Sequence, residues 1–203
     1  MAMTAVQICN LALSRLGSSL LITALSDNTT QAIQANLIYE NVRDMTLEDF
    51  PWTFATRSAA LTEQTTETHP FFDFVYTYPT CLKVLRVFAE DAEKTSREEF
   101  AVYNHYAAGP PVVEVKRIAS DIEDAYAEYV VSVADPTLFT YAFVDALAWK
   151  LASQLAIPVT GDASKVQLLD AQYQFALSRA KASDANEGVQ KLARSSRYKD
   201  ARG

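Results

Sequence analysis

The run Asp135-Pro136-Thr137-Leu138-Phe139-Thr140-Tyr141-Ala142-Phe143-Val144-Asp145-Ala146-Leu147-Ala148-Trp149-Lys150-Leu151-Ala152 sets the architecture of this chain. Asp135 is a capping residue, and proline is accepted in a first helical turn. From 138 to 157 apolar residues fall on every side, and Pro158 closes the segment. A helix apolar all round must be enclosed by protein or by lipid. At 1.5 Å per residue it reaches through a small domain, so the reading is a central helix with other elements wrapped around it. Thr140, Asp145, Lys150, Ser153 and Gln154 lie inside the run and no basic anchors flank it, which favours a buried helix over a membrane span.

Three further helices are read around it. Thr4 with Gln7 forms a capping box, Ala5, Ile8, Ala12 and Leu16 share a face, and Gly17 is a stop. Ser26-Asp27-Asn28-Thr29 offers several caps for a second helix, whose stripe is Ala35, Ile38, Val42 and Met45 and whose end is Pro51. After the break from Pro158 to Gly161, Val166, Leu169, Tyr173, Ala176, Leu177 and Ala180 form a one-sided stripe. The expected helices are 4–16, 29–49, 138–157 and 162–187.

Between about 71 and 133 the pattern changes to short runs rich in Val, Phe and Tyr. Candidate strands are 71–78, 82–88, 100–106, 112–118 and 125–133, with Gly109-Pro110-Pro111 as a turn. Five short strands predict one small antiparallel sheet. The expected fold is α+β: a four-helix bundle with a β-rich lobe inserted between helices two and three, projecting from one end, plus an extended C-terminal arm. Residues 1–190 read as one domain and 191–203 as a basic arm.

The 203 residues are 49% hydrophobic and 21% charged, a globular composition that argues against disorder. Net charge is −7. The last thirteen residues hold Lys191, Arg194, Arg197, Lys199 and Arg202 against Asp200, which leaves −11 on residues 1–190. A basic tail on an acidic body reads as a docking arm or as a solvated end. Two cysteines, Cys9 and Cys81, make no disulfide framework, and the N-terminus shows no basic region of a signal peptide, so a reduced cytosolic protein is the expectation.

Little points to catalysis. The two histidines, His69 and His105, lack partners at metal-ligand spacing, and zinc needs three or four converging ligands. There is no nucleophile elbow, P-loop or dinucleotide fingerprint. Glu90-Asp91-Ala92-Glu93, beside Lys94 and Arg97, and Asp121-Ile122-Glu123-Asp124 read as solvated turns rather than acid–base pairs. No enzyme, cofactor or metal is expected. Aromatic residues cluster in Phe50-Pro51-Trp52-Thr53-Phe54 and at Phe71, Phe72, Phe74, Tyr76 and Tyr78, as core or as interface.

Four segments, in order, carry a family resemblance. They are Ile8-Cys9-Asn10-Leu11-Ala12-Leu13-Ser14-Arg15-Leu16-Gly17 with Ile22-Thr23-Ala24-Leu25; Tyr39 through Arg43-Asp44 and Leu47 to Pro51-Trp52-Thr53-Phe54-Ala55; Tyr76-Thr77-Tyr78-Pro79-Thr80-Cys81-Leu82-Lys83-Val84-Leu85-Arg86-Val87; and Tyr129 through Asp135-Pro136 and Phe143 to Ala185-Asn186-Glu187. Together they resemble the head-to-tail adaptor family of tailed phages, the tail tubular protein A-like head–tail connectors.

The resemblance implies a structural virion protein at the head–tail junction. Such proteins form a homo-oligomeric ring, commonly of about twelve copies, that joins the portal protein to the tail nozzle or other tail proteins. Double-stranded DNA passes through the lumen during ejection without specific binding, and no membrane is involved. The resemblance makes Lys191, Arg194, Arg197, Tyr198, Lys199 and Arg202 candidate portal-binding residues. An acidic body suits such a conduit, because carboxylates repel phosphate. Two other readings compete: a nucleic-acid-binding accessory module using the basic tail, which has few interleaved aromatics, and a small hydrolase using the acidic clusters.

Overall fold

Tyr141–Leu155 forms helix α3, and it is buried around most of its circumference, through Phe143, Val144, Ala146, Leu147, Ala148, Leu151, Ala152, Ser153 and Leu155. A computed structural model describes residues 3–90, 98–107 and 113–187. Asp135 caps only a short 3₁₀ turn at Pro136–Leu138; Thr140 caps α3 itself, its hydroxyl accepting from Phe143 N. Pro158 does not break the chain away. It sits in a π-turn, Ala156–Thr160, that continues α3 until Gly161 turns the backbone at φ 68. Proline lacks the N–H of the regular ladder, and a wider turn absorbs the loss. Tyr141–Thr160 is long and apolar enough to cross a membrane, but most of it is buried inside the protein.

Three helices pack on α3: α1 (Ala5–Arg15), α2 (Thr30–Glu48) and α4 (Ser164–Glu187). Both halves of the Thr4–Gln7 capping box are present on α1. Thr29 caps α2. Arg15 fastens α1 to α3: its guanidinium donates to the Asp145 carbonyl at 2.8 Å and to the Asp145 carboxylate, and lies 4.2 Å above the Trp149 ring. Thr53 N–H and hydroxyl donate to the buried Asp184 carboxylate at 3.0 and 2.9 Å, which pins α4 to the turn after α2.

The four-helix bundle is not observed. In a bundle each helix meets neighbours around a shared axial core. Here α3 occupies that axis, and α1, α2 and α4 each lie against it while touching one another little or not at all. The reason is composition: a helix with no polar face takes the centre, and one-sided helices surround it.

The single inserted lobe is also corrected. The described residues form two three-stranded antiparallel sheets. One has the order β1 (Thr56–Ala60), β6 (Tyr126–Val130), β3 (Lys83–Phe88); the other has β2 (Phe74–Thr77), β5 (Val113–Ser120), β4 (Phe100–Ala107). Strand β1 lies before the expected β region. Its sequence, Thr-Arg-Ser-Ala-Ala, is mostly exposed and lacks the Val and aromatic residues of a strand signal.

The first sheet is the middle layer. Ala55, Val130 and Val133 belong to the helical core, and Leu82 and Leu85 pack on it. Val84 and Val87 pack with Tyr76, Ile118, Phe74, Tyr78 and Phe100 in a second core against the other sheet. A bulge at Leu85 makes this possible. The register passes from Val84–Tyr129 to Arg86–Glu128, so Leu85 is the inserted residue. An extra residue turns the alternation over locally. The sheet is therefore not a lobe standing off one end, because the helices need its inner face.

Candidate functional site

The six arm residues Lys191, Arg194, Arg197, Tyr198, Lys199 and Arg202 lie outside the described residues. So does most of Glu90-Asp91-Ala92-Glu93 with Lys94 and Arg97, and so does the Gly109-Pro110-Pro111 turn. The Asp121–Asp124 acids sit between β5 and β6 as a turn. Asp121 accepts from Asp73 N at 3.0 Å, Tyr76 hydroxyl donates to the Ile122 carbonyl, and Asp124 takes φ 49. Hydrogen bonds that shape a turn occupy this segment.

Aromatic residues divide between core and surface. Trp52 is fully buried, its indole N–H donating to the Thr46 carbonyl at 3.0 Å. The Phe50 and Phe143 rings meet it edge-on at 5.2 and 5.0 Å. Phe74, Tyr76 and Tyr78 are in the second core. Of the rings in these two sequence clusters Phe71 is the exposed one, at 83%.

A polar cluster holds Glu67 and His69, within the segment 61–73, against the outer face of the second sheet. Arg117 clasps Glu67 with two contacts of 2.8 Å, and His105 Nε2 lies 3.8 Å from the same carboxylate. The His69 ring packs tilted, centroids 4.8 Å apart, against Tyr103, whose hydroxyl is buried without a hydrogen-bond partner. Both histidines of the chain thus border one cluster, a convergence invisible in the sequence because 36 residues separate them. The Arg117 clasp holds the Glu67 carboxyl below the usual carboxylate range. Among the described residues no group of three or more His, Cys, Asp and Glu side chains is placed to hold a metal ion.

A second polar group joins three helices. Tyr173 donates to Asp49, Lys150 Nζ donates to Asp49 Oδ2 at 3.0 Å, and the ammonium lies 4.6 Å from the Tyr173 ring centre. Burial, then Asp49, pushes the Tyr173 phenol far above its ordinary range. It is a fixed neutral donor, the opposite of an activated base.

Apolar side chains left on the outside form pairs. On α2, Ile33 and Leu37 lie one turn apart and opposite the buried Ala32, Ala35, Tyr39 and Val42. On α4, Leu168 and Phe175 lie two turns apart and opposite Leu169, Tyr173, Ala176 and Ala180. Val102 and Tyr106 are exposed on the edge strand β4. The core stripes of α2 and α4 were legible as periodicity. The exposed pairs form no part of those stripes; their only signal in the sequence is an apolar residue half a turn off the stripe, and on α2 the stripe itself ends differently from the expectation, with Met45 exposed and Thr46 and Leu47 buried in its place.

No protein-family model matches the chain, and no curated protein matches it in sequence.

Proposed function

We propose that this chain is a non-enzymatic structural subunit of a tailed-phage virion, joining the portal vertex to the tail as one member of a closed ring. One observation carries the reading: a single subunit presents exposed apolar pairs on at least three separate elements, α2, α4 and β4. Apolar area left outside marks protein association, and a ring member needs different patches for its two neighbours and further ones for what lies above and below. The order of the four resembling segments and the acidic excess of residues 1–190 support the same reading. The basic arm, 191–203, supplies the contact to the portal.

Native mass spectrometry of the protein alone, and then with a cognate portal ring, tests this. The expected result is a complex with one copy per portal subunit. Monomer in both conditions overturns it.

A further inference from the structure

We infer that successive copies contact each other through the α4 face carrying Leu168, Phe175 and Arg179, which seats in a groove beside α2 of the next copy. This rests on the reading of a self-assembling subunit and assigns the surfaces that meet. The groove has a volume of about 350 Å³ and is lined by Leu25, Ile33 and Leu37 with Asp27, Asn28 and Asn36 at its wall. Leu37 is 74% exposed there. The Asp27 carboxylate is fixed in place by Thr23 N–H, Thr23 hydroxyl and Ala24 N–H at 2.8, 2.8 and 2.9 Å. Exposed Glu40 continues the same side of α2 one turn beyond Leu37.

The α4 face is the counterpart in shape and in charge. Phe175 is 63% exposed and stands out as a knob, and the Arg179 guanidinium, one turn on, lies 5.9 Å from its ring. Along this stripe, Leu168, Gln172, Phe175 and Arg179, the only charge is positive. An apolar knob with a cation therefore faces an apolar groove with anions.

The occupant is a second copy of this chain because one copy carries both halves and cannot join them. Helices α2 and α4 both pack on α3, with their apolar pairs turned away from it. Symmetric pairing is disfavoured on either face: α4 on α4 brings arginines together, and α2 on α2 brings Asp27 and Glu40 together. Two unlike patches on one chain give a head-to-tail contact, which propagates from copy to copy.

Two variants with one exposed cysteine each, Leu37→Cys and Phe175→Cys, both in a Cys81→Ser background, test the assignment. Cys9 is buried and stays. Both new cysteines replace exposed side chains, so folding is retained. On mild oxidation, a disulfide-linked dimer is expected from the mixture and from neither variant alone, and the variant carrying both cysteines gives a ladder of higher species. A dimer from either variant alone overturns the head-to-tail geometry. No cross-link in the mixture, while the wild-type chain assembles by native mass spectrometry, overturns these surfaces and leaves the assembly reading standing. No cross-link and no assembly overturns both.

Discussion

Trp52 ties the end of α2 to the central helix through one side chain. Its indole bonds the Thr46 carbonyl, and its ring meets Phe143 of α3. Trp52→Ala removes a large buried aromatic and an indole donor together, and is expected to cost about 3–5 kcal/mol in chemical denaturation. Near-wild-type stability would show that the ring is not core. Its place was readable in part: three rings around Pro51 declared an aromatic cluster, but its burial depended on Phe143, ninety-one residues away. Cys9 is simpler. Burial pushes its thiol up to about 12, as its apolar neighbours in the sequence implied, so it stays an unreactive core residue.

Among the elements, residues 61–73 behave as a strap whose grip depends on charge. Its backbone is tied by Gln64 N to the Val75 carbonyl at 2.7 Å and by Thr77 N to the Thr62 carbonyl at 2.8 Å, and its side-chain anchor is Glu67 on Arg117. The Glu67 carboxyl is held below its unfolded range, so the native state favours the ionised form. The stabilisation is complete above the ordinary glutamate range and is lost as pH falls through the lowered native value. Hydrogen exchange, corrected for intrinsic rates, is expected to show the Gln64 and Thr77 amides losing protection on acidification below about pH 4. In Glu67→Gln the same amides are expected to be weakly protected at every pH. Identical profiles in the two proteins would remove the clasp from the account. Helix elements were the most legible part of the chain, because caps such as Thr4 and Thr29 and the α4 stripe act locally. Strand β1 was illegible because its residues carry no strand preference and are held by pairing with β6.

For the whole molecule, deletion of 191–203 is expected to leave the thermal midpoint unchanged and to weaken capture by a portal ring, measured as the fraction of subunit bound. Equal capture would take the arm out of the portal contact. At this scale the layering also departs from what the segments imply one by one. The amino-acid sequence determined that a helix apolar on all sides must be enclosed, that one-sided helices flank it, and that an α+β class follows. These depend on residue spacing within a few turns. Only the tertiary structure decided that α3 is a hub in place of a fourth bundle member, and that six strands split into two sheets with one shared between two cores. It also decided that Glu67, His69, Tyr103, His105 and Arg117 share one surface. Those outcomes depend on which distant segments pair, on one bulge at Leu85, and on area buried between layers, none of which is encoded by the periodicity of any single segment.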